Sequence, residues 1–227
     1  MVRLYVTAEG YTEQRFAVDV LGPHLALYGV SVFKPRLAAL GKKKGRTHRG
    51  GLDTYLPVKN DICRWLKQDR AADAHFTTMF DLYGLPRDFP GYDKASGKPD
   101  VFARVVALEA ALLEDIDDSR FIPYIQLHEF EALLLSDPNA FACRYPDHAR
   151  QIERLEQLCA RFDSPEHIDD GQQSAPSKRI GEEIPEYIRA KPTAGPIIAA
   201  TIGLMTIREK CPHFNDWLTR LEGLANA

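Results

Sequence analysis

The chain has 227 residues, 44% hydrophobic and 27% charged, a balance that supports a packed core and excludes wholesale disorder. Its formal net charge of -3 excludes nucleic-acid binding by bulk charge, so any such contact needs a local basic patch. No apolar run is long enough to cross a bilayer, and the opening Met-Val-Arg-Leu-Tyr-Val lacks the order of a secretion signal, so the expectation is a cytoplasmic chain with no membrane contact.

Residues 2–6 read as a short buried strand followed by a glycine-containing loop. Thr12 fits the cap of a helix from Glu13 to about Tyr28, with Phe16, Val20 and Leu27 on its apolar face and Pro23 as a kink or break. Val30, Val32 and Phe33 suggest a second strand. Residues 41–51 contain no apolar side chain and read as an exposed basic loop. A helix fits 52–70, with Leu52, Leu56, Ile62, Trp65 and Leu66 as its buried side. His75–Phe80 is a strand ending at Asp81, and the Gly- and Pro-rich segment 82–99 is a loop. Val101, Val105, Leu108 and Leu112 recur at helical spacing within 100–117. Phe121–Leu127 is a fourth strand, and His128–Leu135 opens another helix.

This alternation predicts an α/β fold, a mainly parallel four-stranded sheet flanked by helices over residues 1–137. Residues 138–227 read as a helical annex packed on that core, within a single structural unit. Ile197, Ile198, Ile202 and Met205 form a core stripe there. Cys63, Cys143, Cys159 and Cys211 form no CxxC pair and read as buried thiols of a reducing compartment. The set Cys143, His148, Cys159 and His167 matches no standard zinc spacing.

In open parallel sheets, ligands bind beyond the carboxyl ends of the strands. Glu9 and Glu13 follow the first predicted strand, Asp81 the third, and Glu129 and Glu131 the fourth. Carboxylates gathered on one edge repel unless a cation neutralises them, and a hard ion such as Mg²⁺ or Mn²⁺ prefers oxygen ligands. Such a site can activate water and stabilise the leaving oxygen of a phosphodiester. The same acids also fit a favourable helix start at Glu13 and solvated loops elsewhere.

The segment Thr7-Ala-Glu-Gly-Tyr-Thr-Glu13 resembles the EGxTE signature of Toprim domains, especially those of OLD-family nucleases. Phe80-Asp-Leu-Tyr-Gly-Leu-Pro86, Ile125-Gln-Leu-His-Glu-Phe-Glu-Ala-Leu-Leu-Leu-Ser-Asp137 and Ala175-Pro-Ser-Lys-Arg-Ile180 extend the likeness. Together they resemble an uncharacterised bacterial family, domain of unknown function 4276, over nearly the whole chain. The Toprim resemblance implies a metal-dependent nuclease. Glu9 would be metal ligand or general base, Glu13 the second acid of the loop, and Asp81 the first aspartate of a DxD pair. The second aspartate is missing, since position 83 is Tyr, and Glu129 or Glu131 would supply the missing oxygen. The resemblance further implies a bacterial anti-phage or mobile-element setting. An ATPase partner would be a separate subunit, because the chain has no GxxxxGK[ST] loop of its own. A catalytically degenerate Toprim-like module that binds such an ATPase or nucleic acid is the alternative.

Two basic groups accompany the acids. Lys42, Lys43, Lys44, Arg46 and Arg49, with His48, follow the second strand and suit phosphate contacts without sequence readout, or a plain solvated loop. Ser177 fits a helix N-cap, after which Lys178 or Arg179 would hold a scissile phosphate or stabilise the transition state, as the OLD-type resemblance implies. Lys191 is a second candidate for that role, and His128 could orient a carboxylate or bind metal.

Overall fold

The computed structural model describes residues 1–38, 52–168 and 174–226. It is an α/β fold with a parallel sheet flanked by helices and a helical C-terminal part. Strand β1 (Val2–Ala8) leads through helix α1 (Tyr11–Phe16), a wide turn over Ala17–Leu21 and helix α2 (Gly22–Ala26) into β2 (Val30–Leu37). Helix α3 (Tyr55–Gln68), β3 (Ala74–Asp81), α4 (Tyr92–Ser96) and α5 (Val101–Ile116) follow, then the two-residue strands β4 (Phe121–Ile122) and β5 (Ile125–Gln126). The remaining helices are α6 (Glu131–Leu134), α7 (Ala149–Cys159), α8 (Pro176–Glu183), α9 (Pro185–Ile202), α10 (Leu204–Lys210) and α11 (Pro212–Glu222).

The sheet runs β2-β1-β3-β4, with β5 also pairing with β3, and every pairing is parallel. The fourth strand of the sequence reading is therefore two pieces beside one neighbour. Pro123 separates them, since it has no N–H for a ladder. Threonine side chains of β3 bridge the break. Thr77 Oγ1 donates to the Ile122 carbonyl at 2.6 Å, and Thr78 Oγ1 accepts from the Tyr124 N–H at 2.9 Å.

Alternate strand residues serve opposite faces. Leu4, Val6, Met79 and Ile122 join one buried cluster with Phe16, Phe130, Ile198, Phe214 and Trp217. Phe76, Phe80 and Phe121 join a second with Val58, Ile62, Trp65, Val105 and Leu112. The C-terminal helices thus share a core with the sheet, and the Trp217 indole N–H donates to Thr77 Oγ1 at 3.0 Å inside it.

Local chemistry explains where the elements depart from the sequence reading. Helix α1 is capped by Gly10, not Thr12, with the Glu13 side chain turned back onto the Gly10 N–H. The wide turn before α2 carries a bond from the Gly22 N–H to Ala17 O, five residues back, just ahead of Pro23. Pro23 thus shifts the helix register rather than ending the helix. Leu27 and Leu56 lie on the solvent side, at 83% and 62% exposure, so neither belongs to the face assigned to it. Ile198 and Ile202 are buried, whereas Ile197 and Met205 are exposed. Of the thiols only Cys211 is fully buried, and Cys143 is exposed. Helix α5 forms as its spacing predicts, with the Asp100 side chain accepting the Phe102 and Ala103 N–H groups. Among the described residues, no helix is long and apolar enough to cross a membrane.

Candidate functional site

β1 and β3 are neighbours in parallel register, Ala8 opposite Met79, so the residues that follow them emerge on the same edge. The Glu9 N–H donates to Met79 O at 3.0 Å. In return Glu9 Oε2 accepts the Asp81 N–H at 2.8 Å. Gly84 is what allows this closeness. A Cβ there would stand 2.3 Å from Glu9 Oε1, so any larger residue would evict the carboxylate.

Asp81 is the most frustrated group of the set. Its Oδ1 is closed off from solvent and has no hydrogen-bond partner. Burial pushes its carboxyl well above the usual carboxylate range, and Glu9, Glu13, Glu131 and Glu129 add to the shift. The other four acids singled out from the sequence therefore lie within electrostatic reach of Asp81. Glu13 is buried and pushed up to about 8, first by burial and then by Glu9 and Glu131. An unpartnered buried oxygen costs on the order of 1–3 kcal/mol, more if charged. A hard cation would relieve that cost with the same donor set.

The fourth and fifth acids are held differently. Both oxygens of Glu129 accept from Ser177, the backbone N–H at 2.5 Å and the hydroxyl at 3.0 Å. Ser177 is not the cap of α8. Ala175 caps it, Pro176 takes the first turn, and Ser177 presents its donors to Glu129. Glu131 Oε1 accepts the Tyr187 hydroxyl at 2.9 Å. Lys191 Nζ stands 3.2 Å from Glu131 and 3.8 Å from Glu129. Burial alone would lower the Lys191 ammonium, but Glu131 and Glu129 overcome it and hold it above its ordinary value. Burial pushes Glu131 up, while Lys191 and the Tyr187 hydroxyl pull it back. Gly195 lets α9 carry Tyr187 and Lys191 this close. A Cβ there would meet Thr12 at 3.1 Å and Phe130 at 3.2 Å.

The acids converge in charge, yet among the described residues no three His, Cys, Asp or Glu side chains stand ready as ligands of a single ion. The bonds above bear on this: protein donors already hold at least one oxygen of Glu9, Glu13, Glu129 and Glu131, whereas the buried Asp81 Oδ1 has none. A cation would therefore have to compete with those donors for the carboxylate oxygens. Lys178 is exposed on α8. Arg179 pairs with Glu182 at 3.9 Å and lines a groove of about 240 Å³ with Arg154 and Arg161. The lysine against the acids is Lys191 instead. Lys42, Lys43, Lys44, Arg46 and Arg49 lie outside the described residues. None of the five acids lines that groove or a second one of about 260 Å³ around Asp137 and Lys210.

His128 and Tyr83 brace the site. His128 is fully buried and has φ of 62°, a conformation uncommon outside glycine. Its Nε2 is 3.0 Å from the Glu166 carbonyl, which can only accept. In the neutral ring Nδ1 must then accept the Tyr83 hydroxyl at 2.9 Å. The Tyr83 N–H also donates to His128 O at 3.0 Å. The Glu166 carboxylate accepts the His213 and Phe214 N–H groups at the start of α11. Sequence reasoning missed Ser177 as a carboxylate donor, and missed Tyr187, Gly84 and Gly195 altogether. The two glycines stand in segments with no other sign of a close approach.

With this geometry established, comparison with known proteins gives the family. Residues 8–222 match the family described as Domain of unknown function (DUF4276), and the chain belongs to it. No curated protein and no solved structure matches the chain.

Proposed function

We propose, taking membership of the DUF4276 family as the premise, that the chain is a metal-dependent phosphodiesterase, a nuclease, centred on Glu9 and Asp81. The observation that carries the reading is the buried, unpartnered Asp81 Oδ1 among four further carboxylates. A structural role alone gives no reason to bury like charges together. Glu9 and Asp81, with Glu13 or with Glu129 or Glu131, would hold Mg²⁺ or Mn²⁺. When bound, the ion would supply water activation and stabilisation of the leaving oxygen. Gly84 and the Asp81 N–H keep the Glu9 carboxylate oriented. Ser177 and Tyr187 fix Glu129 and Glu131. Lys191, rather than Lys178 or Arg179, is the cation positioned to offset charge on a phosphate bound over the acids.

The Toprim-like reading belongs to the same proposal, supported by Glu9 following β1 and Asp81 closing β3. So do the nucleic-acid substrate, the cytoplasmic, anti-phage or mobile-element setting and the separate ATPase subunit, which rest on the motif resemblance. The test is direct. The purified chain with millimolar Mn²⁺ should cut plasmid or single-stranded DNA or RNA, and Glu9→Ala should not. If both proteins leave all these substrates intact, the enzymatic reading fails.

A second reading has its own observation. Tyr83 takes the place of a DxD aspartate and spends its hydroxyl on His128, which suits a degenerate scaffold that docks on an ATPase or on nucleic acid. Such a scaffold would show no Glu9-dependent rise in melting temperature with Mn²⁺.

A further inference from the structure

Four of the five acids divide by what holds them. Glu129 and Glu131 are bound to groups from the C-terminal helices: the Ser177 N–H and hydroxyl, the Tyr187 hydroxyl and the Lys191 ammonium. The Ser177 N–H belongs to the first turn of α8 and cannot swing away without unwinding that helix start. Asp81, next to Glu9 on the sheet edge, keeps an oxygen with no partner at all. Position 83, two residues beyond Asp81, is a tyrosine tied to His128.

We infer that Lys191 is a resident second cation of this site, so that the acid cluster takes one divalent ion, at the Glu9–Asp81 half, and no more. The inference rests on the metal-dependent reading proposed above and fixes its stoichiometry. Two divalent ions acting on one phosphodiester stand about 3.5–4 Å apart. A second ion on Glu129 and Glu131 would have to share carboxylates that Lys191 already approaches to 3.2 and 3.8 Å. Bringing a dication that close to a half-buried ammonium, against Glu131 whose side chain is almost wholly buried, is repulsive. The ammonium has the chemistry for the vacated role. It carries three donors and no acceptor, and can hold a phosphate oxygen while staying paired to its carboxylates.

The experiment counts bound Mn²⁺ on the full-length chain by electron paramagnetic resonance with equilibrium dialysis. Wild type should bind one ion per chain, and Lys191→Met, which removes the charge and nearly keeps the length, should bind two, with the spin coupling of neighbouring ions. Lys191→Arg, which keeps the charge, should stay at one. Two ions on wild type, or one on a folded Lys191→Met, overturns the inference while leaving the metal-dependent reading standing. No bound ion on wild type overturns that reading itself. The wild-type and Lys191→Arg counts keep the inference exposed to refutation even if Lys191→Met does not fold.

Discussion

Replacing Glu13 by Gln tests whether the fold holds this acid against the cost of its burial and its repulsion by Glu9 and Glu131. Glu13 is buried, its Oε2 accepts the Gly10 N–H at 2.8 Å, and its carboxyl is raised from 4.5 to about 8. Between roughly pH 4.5 and 8 the folded chain therefore keeps a proton that the unfolded chain has released. Stability must fall as pH rises through that window, and this contribution must level off above it. Holding Glu13 ionised above pH 8 costs on the order of 5 kcal/mol if the whole displacement belongs to this one group. Glu9 and Glu131 share the repulsion, so about 2–4 kcal/mol is the expected scale. Glutamine keeps the shape and the acceptor for Gly10 but never ionises. In metal-free buffer Glu13→Gln should match wild type near pH 4.5 and melt roughly 5–12 °C higher at pH 9. Thermal melts from pH 4.5 to 9, followed by circular dichroism, provide the comparison. Parallel pH profiles for the two proteins would refute the reasoning, because Glu13 would then be neither buried nor in electrostatic contact with Glu9 and Glu131 in solution.

Two further substitutions probe the parts that position the acids. Gly84→Ala should leave the fold intact, since the clash is with the movable end of Glu9, and should weaken Mn²⁺ binding by about tenfold or more, one charge-assisted hydrogen bond's worth; calorimetric titration reads it, and unchanged affinity would mean Glu9 is no ligand. At His128, φ of 62° should reverse the ordinary order of small residues, with His128→Gly more stable than His128→Ala by about 1 kcal/mol in urea melts; the opposite order would mean the backbone relaxes once the ring is gone.

The sheet and its acidic edge were legible because both follow from period and topology. Alternating strands and helices force parallel pairing, and parallel pairing brings residues after β1 and β3 to one edge, as Glu9 and Asp81 show. The partners of those acids were not legible, because they arrive from distant parts of the chain. Lys191 reaches Glu131 because α9 approaches α1 and α6 at Gly195, and nothing around a lone glycine announces a helix crossing. Ser177 has the composition of a cap, but Pro176 before it and Glu129 across from it give it a different task. Hydrophobic spacing likewise fixes the phase of a helix but not the width of its buried stripe, which is why Leu27 and Leu56 fell outside.

Tyr83 shows how one residue can lie outside a motif and still serve the site. Read as a sequence, it is an absent carboxylate. In the fold its hydroxyl and its N–H both close on His128, whose ring continues to the Glu166 carbonyl. The positive φ of His128 costs on the order of 1–3 kcal/mol, and three hydrogen bonds of about 1 kcal/mol each are enough to hold it. That turn leads directly into Glu129 and Glu131, the acids that Lys191 approaches. An aspartate at 83 would add an oxygen but could not reach His128 as a phenol does, and the turn would be free to relax. Tyr83 and Lys191 thus act on one stretch of chain: the turn that Tyr83 stiffens leads directly into Glu129 and Glu131, the two acids that pair with the Lys191 ammonium.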